Sequence, residues 1–544
     1  MGKVIMRLEK IARKIEESPA GFWSLLASFV GLMILRILIE NWASGENAHY
    51  SFFIFYEFFD SFLIAYLASL YIIHKILKVE FRKAANILIF GYSVIIIPPI
   101  VDYIISHGKG FLSFYAFDSL MGLLKRFITF FGDRPDVGIT YGVRVEIFIA
   151  VMLILVYSYL KSKNILKSVL TSFLVYSVLF VLGTFPSWIT IAVKGISKGF
   201  LKITDIDAVQ MFFSPFSLFS REIPRVNDAL IVKVNLIYLL IITALVLLGL
   251  FKYQKEKFCS FLKNARFPQI FYHGGLLVLG IGIGLAFSQK TVPINFFNAL
   301  GFLVVLEAVI FSWLASVVVN DIVDEKIDVR TNPNRPLIKK VFSLSQYRAM
   351  GLIFFAFSIY LASLVNLKIS FLLIAYQGIA WLYSSWLMRL KRFAFVSTFV
   401  SAIASLMIFF SGYALLSDSQ NFLEIPARII ILLITAYTLS IPIKDFKDIE
   451  GDKQDGVYTV PVVFGEYWGK IIVGSGIFFS FLLSTILLNE SRLFWWALIF
   501  GGISFWLVNK MSAKSRINYH NIFWWILGLV AIYGIILIKI IFLK

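Results

Sequence analysis

The chain has 544 residues, of which 59% are hydrophobic and 15% charged, with a mean hydropathy of +0.84 and a formal net charge of +19. That balance excludes an ordinary soluble enzyme, because apolar runs of about 20 residues, enough to cross a bilayer core, recur along the whole chain. It gives no ground for nucleic-acid binding either, since the positive charge falls in short clusters on alternate connections.

In chain order, the opening MGKVIMRLEKIARKIEESPAGFW lacks the apolar stretch of a signal peptide and reads as an amphipathic helix on the membrane surface. About six spans follow, near 21–41, 51–77, 85–106, 143–163, 168–190 and 228–251. Two Phe-rich segments, 111–132 and 192–220, are too polar for spans and are expected to be interfacial or re-entrant. Charges near the outer ends of the spans (Arg36, Glu40, Glu57, Asp60, Asp102, Arg144 and Glu146) are expected to pair inside the bundle. The basic stretch FKYQKEKFCSFLKNARFPQ (251–269) marks a boundary, giving an N-terminal domain 1–250 and a second domain 255–544. Its Cys259 is the only cysteine, which excludes an intrachain disulfide and a thiolate-rich zinc site. About nine further spans run from 270 to 543.

The expectation is an all-α polytopic membrane protein, because a lipid-exposed backbone must satisfy itself within a helix or a closed barrel and the alternation of barrel strands is missing. Basic clusters at 3–14, 75–83, 161–167, 252–266, 330–348, 389–392, 444–470 and 510–516 place the N-terminus and these connections in the cytoplasm.

Two stretches stand out: NDIVDEKIDVRTNPNRPL (320–337) and IPIKDFKDIEGDKQDGVYTVPVVFG (441–465), each at the end of an apolar span. Within them, 321–328 and 445–455 hold nine of the chain's 32 acids. Asp321, Asp324 and Asp328 repeat the spacing of Asp445, Asp448 and Asp452, and on a straight helix each trio falls within about 60° of arc. Two such trios on one side of the membrane repel unless cations lie between them. Oxygen donors of this kind suit Mg²⁺, which is commonly shared between carboxylates and a substrate phosphate. The physical reading is a metal-bridged diphosphate site.

The Asn-Asp-x-x-Asp-x-x-x-Asp run at 320–328 and the Lys-Asp-x-x-Asp-x-Glu-Gly-Asp run at 444–452 resemble the UbiA superfamily of intramembrane prenyltransferases. LYSSWLMRLKRF (382–393), Arg266-Phe267-Pro268 and the count of nine spans are similar to that family as well. The resemblance covers about 255–544 and implies a nine-helix bundle there; the apolar runs before it are expected to form a separate bundle of about six spans. The resemblance also implies transfer of an isoprenyl group from an isoprenyl diphosphate to a lipophilic acceptor, either an aromatic quinone or chlorophyll precursor or a glycerol-ether lipid. Carried over by motif, Asn320, Asp321, Asp324 and Asp328 form one Mg²⁺ cluster, and Asp445, Asp448 and Asp452 the other. Tyr383 would lie near the phosphates, and Arg266, Arg335, Lys391, Arg392 and Lys444 would grip them. The sequence departs from the family where Lys339-Lys340 replaces the glycine that usually follows the Arg-Pro-Leu element.

Residues 1–250 carry no such resemblance, and the expectation is that they shape lipid access or recruit a protein partner. The competing class is a transporter or lipid-binding protein using intramembrane acids, which would place them near the bilayer midplane. Glu307 is expected to be structural, and Gly280, Gly282 and Gly284 to serve close helix packing.

Overall fold

The structure is a computed structural model of the whole chain and describes residues 2–44, 51–111, 113, 115–132, 139–287, 295–385, 388–417, 421–454, 456–512, 517–519 and 521–542. Among these, fifteen helices are long and apolar enough to cross a membrane, from Phe22–Ser44 to Ile522–Ile541. The protein is an all-α, multi-pass integral membrane protein. Its chain contacts divide it into two units, Met1–Phe216 with Glu222–Leu248, and Ser217–Arg221 with Gly249–Lys544.

The first unit contains the spans from Phe22–Ser44 to Ile165–Gly183 and most of Val226–Tyr253. The span near 85–106 is interrupted: Phe81–Gly91 passes through a 3₁₀ turn, Tyr92–Ile96, into Ile97–Ile105. Pro98 and Pro99 explain the break, because neither offers an N–H to the preceding turn. The first Phe-rich segment contains the short helix Leu120–Ile128; the second contains the end of helix Phe185–Lys198, which takes up the last part of the span expected at 168–190, then helix Asp205–Phe212 and strand Phe216–Leu218, paired with Arg221–Ile223. Of the charges expected to pair, buried Arg36 meets Glu40 at 3.1 Å, and Asp102 accepts the Gly142 N–H at 2.8 Å. The amphipathic first helix, Gly2–Glu16, is pinned by Glu16, which meets Lys161 at 2.6 Å and accepts from the Tyr157 hydroxyl at 2.8 Å.

In the second unit, helix Phe267–Phe287 packs closely against Ala394–Leu416 because glycines face each other's backbone. A Cβ on Gly280 would lie 2.0 Å from the Phe409 carbonyl, and one on Gly412 would lie 2.0 Å from that of Leu277. A Cβ on Gly284, also in this seam, would lie 3.0 Å from the Tyr413 carbonyl, whereas Gly282 faces open space, contrary to the expectation for it. Helix Phe296–Val323 approaches Leu344–Val365 through Gly351, which lies against Val318. The Ser343–Gln346 capping box starts the latter helix. Asn366 caps the next one, Leu367–Ser384.

Candidate functional site

Both acidic stretches break the straight helix assumed from their spacing. Helix Phe296–Val323 ends just before Asp324, and a short helix, Glu325–Thr331, carries Asp328. The second stretch is a 3₁₀ turn, Ile441–Lys447, containing Asp445, followed by helix Ile449–Gln454 containing Asp452. Pro442 near the start of that turn removes one N–H from the usual ladder. Asp455, the last acid of this stretch, lies outside the described residues.

Despite the breaks, the two stretches meet at one cavity of about 490 Å³. Asn320, Asp324, Asp328, Asp445, Asp448 and Asp452 line it, together with Arg266, Arg335, Lys391, Lys444 and Tyr383. Beyond this polar end the walls are mainly apolar, including Leu279, Val317, Ile379, Leu433, Ile477, Phe481, Ile526 and Leu537.

The acids of the first trio are already paired. Asp321 is fully buried and is not among the cavity-lining residues. It is held by Arg266 at 2.8 Å and Arg335 at 2.9 Å, and accepts from Tyr347 at 2.8 Å and Asn264 at 2.5 Å. Asp328 pairs with the same Arg335 and accepts from Asn332 at 3.2 Å. Asp324 pairs with Lys391, with Arg389 at 3.5 Å. Burial pushes the Asp328 carboxyl up to about 7 against the opposing pull of Arg335. Burial also lowers the Lys391 ammonium, with Asp324 opposing.

The second trio is barer. Asp448 has Lys447 at 3.8 Å, and among the described residues neither Asp445 nor Asp452 makes a hydrogen bond or ion pair. The Asp452 carboxyl is pushed up to about 8, first by burial and then by Asp445 and Asp448.

The loops that deliver the basic groups use left-handed backbone at residues other than glycine. Arg266 has φ 56°, Arg389 φ 42° and Lys340 φ 56°. Such conformations cost roughly 1–3 kcal/mol each and collect at functional sites. Lys340 therefore occupies a left-handed position just where the sequence departs from the family's glycine. Around this turn, Lys339 N–H donates to the Arg335 carbonyl at 3.0 Å and Val341 N–H to that of Pro336 at 3.0 Å. The Lys391 loop is tied to the second acidic stretch through Tyr458 N–H, which donates to the Arg392 carbonyl at 2.9 Å.

Most residues singled out from the sequence come together at this cavity. Lys444 Nζ lies 3.5 Å from the Tyr383 hydroxyl and 5.4 Å from its ring centre. The Arg392 side chain is exposed and is not among the lining residues, so the substrate-gripping role expected of it has no support in its position. Glu307 does not line the cavity either. Sequence reasoning missed Arg389, Lys447, Asn264 and Tyr347. Lys447 had a signal, since it sits three residues after Lys444 and one turn of 3₁₀ helix brings both to the same face. It also missed His273 and Tyr376, which line the cavity deeper in.

The donor set fits Mg²⁺: the acids and Asn320 offer hard oxygen atoms, and two of the carboxylates have no hydrogen-bond or ion-pair partner among the described residues. Among the described residues no three acidic or imidazole groups form a ready-made cage. Mg²⁺ does not need one, because it keeps several waters and takes one or two carboxylates plus phosphate.

Comparison with known proteins points to the same stretch. Residues 276–527 match the UbiA prenyltransferase family. Digeranylgeranylglyceryl phosphate synthase of Sulfolobus acidocaldarius is 34% identical over 170 residues, which cover 30% of this chain and 58% of that protein. The enzyme of the same name from Sulfurisphaera tokodaii is 29% identical over 196 residues, covering 35% and 66%. The chain thus spans between about half and two thirds of the length of these curated relatives. Among solved structures, a UbiA homolog from Archaeoglobus fulgidus bound to DMAPP and Mg²⁺ aligns at 19% identity and a TM-score of 0.39, over 51% of this chain and all of that one. The part of this chain that is similar to the UbiA prenyltransferase family is thus its C-terminal half.

Proposed function

We propose that the second unit transfers an isoprenyl group from an isoprenyl diphosphate to a hydroxyl group of a membrane-borne glycerol phosphate ether, with Mg²⁺ as cofactor. The observation that carries this reading is a single cavity with five aspartates and five cations at one end and apolar walls over much of the rest. That division matches a substrate with an anionic head and a hydrocarbon tail. The choice of a glycerol phosphate ether over an aromatic ring follows the name shared by the curated relatives. A transporter reading loses ground because the acids gather at the ends of spans.

Asn320, Asp324, Asp328, Asp445, Asp448 and Asp452 would hold the metal. When bound, Mg²⁺ would neutralise the charge that develops on the diphosphate as it leaves. The remaining work falls to the chain's own groups. Arg335, Lys391, Lys444 and Arg266 present cations to the phosphate oxygens, and the apolar walls keep water from a reactive allylic cation. Asp321, saturated by two arginines, orients Arg266 and Arg335 rather than meeting substrate. The basic clusters around the acidic stretches support a cytoplasmic cavity mouth and N-terminus. Residues 1–250 are a separate domain that shapes lipid access or recruits a partner; unaltered activity on the natural acceptor after their removal would refute this.

The test is incubation of the purified full chain with labelled geranylgeranyl diphosphate, Mg²⁺, and either geranylgeranylglyceryl phosphate or an aromatic quinone precursor. Ether formation that stops on chelation of the metal is expected. Transfer only to the aromatic acceptor would overturn the choice of acceptor, and no transfer to either would overturn the reaction.

A further inference from the structure

Well below the acids, the cavity wall carries a polar pair that the phosphate site does not use. His273 lies two turns into helix Phe267–Phe287 beyond Arg266, and Tyr376 lies two turns before Tyr383 on helix Leu367–Ser384. Both are therefore about 10 Å deeper than the phosphate-gripping groups, roughly a diphosphate and its first carbon away. Both are buried, and both line the cavity. A polar pair among membrane-spanning helices is costly and marks function by default.

The pair is wired in one direction. His273 Nδ1 lies 2.6 Å from the Gln269 carbonyl, which can only accept, so Nδ1 carries the proton and Nε2 keeps its lone pair. The Tyr376 hydroxyl lies 3.1 Å from that Nε2 and donates to it. With the Ser316 hydroxyl also beside it, the phenol oxygen keeps one lone pair for a group in the cavity. Trp313 holds the imidazole in place, its ring centre 4.9 Å away and its own N–H spent on the Ala265 carbonyl at 3.1 Å.

The geometry points to Tyr376, backed by His273, as the proton acceptor for a hydroxyl nucleophile. The inference rests on the isoprenyl-transfer reading above. In the step, the C1–O bond of the isoprenyl diphosphate breaks and its electron pair leaves on the diphosphate. The acceptor oxygen bonds to C1, and its proton moves to the Tyr376 oxygen as the Tyr376 proton moves to His273 Nε2. The imidazolium gives up its proton to solvent after the product leaves. Tyr376 touches substrate and is the catalytic residue of the pair; His273 acts through it and positions it.

The test compares the full-length wild type with Tyr376→Phe and His273→Gln, using geranylgeranyl diphosphate, geranylgeranylglyceryl phosphate and Mg²⁺. Wild-type ether formation establishes the reading; its absence removes the reading and this inference together. Given wild-type activity, kcat for ether formation should fall about 100-fold or more in both variants. The KM for geranylgeranyl diphosphate and the slow acceptor-independent release of pyrophosphate should stay at wild-type values, which a general loss of structure would not allow. Tyr376→Phe removes one oxygen and leaves the packing, so it decides the matter if His273→Gln is unstable. Undiminished ether formation in Tyr376→Phe, or a parallel loss of pyrophosphate release, overturns the proposal.

Discussion

The two aspartate trios share one spacing and meet at one cavity, yet their surroundings differ. The first is neutralised in advance: Asp321 by Arg266 and Arg335, Asp328 by Arg335, and Asp324 by Lys391 and Arg389. The second has one ion pair among the described residues, the 3.8 Å contact of Asp448 with Lys447. Equal spacing in sequence therefore does not mean equal roles. On the proposed reading, the first trio holds cationic side chains in place as well as sharing the metal, and the second is left open to a cation from outside.

The largest expected effects separate the trios. Asp445→Ala or Asp448→Ala should lower isoprenyl transfer by about 10³-fold, the scale of losing a group that stabilises developing charge. The melting temperature in detergent should hold or rise, because each substitution removes repulsion within the second trio. Asp321→Ala should also lose activity, but with a fall in stability of about 3 kcal/mol. That is the lower end for breaking a buried pair, because the arginines left behind are partly exposed. Equal melting temperatures for Asp321→Ala and Asp445→Ala would break the comparison.

Much of this was legible in the sequence, because lipid forces the backbone into helices and makes each span a long apolar run. Fifteen spans, six before the basic stretch and nine after it, follow from that constraint alone, and the repeated Asp spacing singled out the two stretches. What stayed hidden depends on tertiary placement. A period of 3.6 put Asp321 and Asp324 on one face, but the helix end at Val323 leaves Asp324 at the cavity and Asp321 behind it. Positive-inside bias accounts equally well for Arg389, Arg392 and Lys391, so no pattern could tell the pair-forming residues from the exposed Arg392. Asn264 and Tyr347 act only because folding brings them to Asp321 from 57 and 26 residues away. The left-handed backbone at Arg266 and Arg389 has no signature, since neither is a residue that favours it.

A smaller effect follows from pH. The Asp452 carboxyl, raised to about 8 by burial and by Asp445 and Asp448, stays protonated in the folded chain at pH values where the unfolded chain has released the proton. Its contribution to stability is thus unimpaired below about pH 4 and declines as pH rises toward 8. Asp328, raised to about 7, acts in the same direction over a narrower window. Without metal, the melting temperature should fall between pH 6 and pH 8. Mg²⁺ binds the ionised form, so the stabilisation it gives should be greater at pH 8 than at pH 6. Asp452→Asn should flatten that difference, whereas Asp328→Asn, beside Arg335, should leave most of it. Equal responses from the two variants would mean that the trios share the metal evenly.

The smallest effect concerns the turn that carries Arg335 to the first trio. Lys340 is exposed and left-handed at φ 56°, a conformation costing a residue with a side chain roughly 1–2 kcal/mol. Lys340→Gly removes that cost but gives the unfolded chain more freedom, which returns about 0.5–1 kcal/mol. The net expectation is a gain below about 1 kcal/mol, with kcat unchanged because the Lys339 and Val341 hydrogen bonds still close the turn. Equilibrium unfolding of the wild type and Lys340→Gly, each with and without Asp321→Ala, sharpens the comparison. If the turn serves to present Arg335 to Asp321, the two substitutions are coupled and their effects do not add. Additive effects would mean that the turn is held by its own backbone bonds and that the first trio merely receives what it delivers.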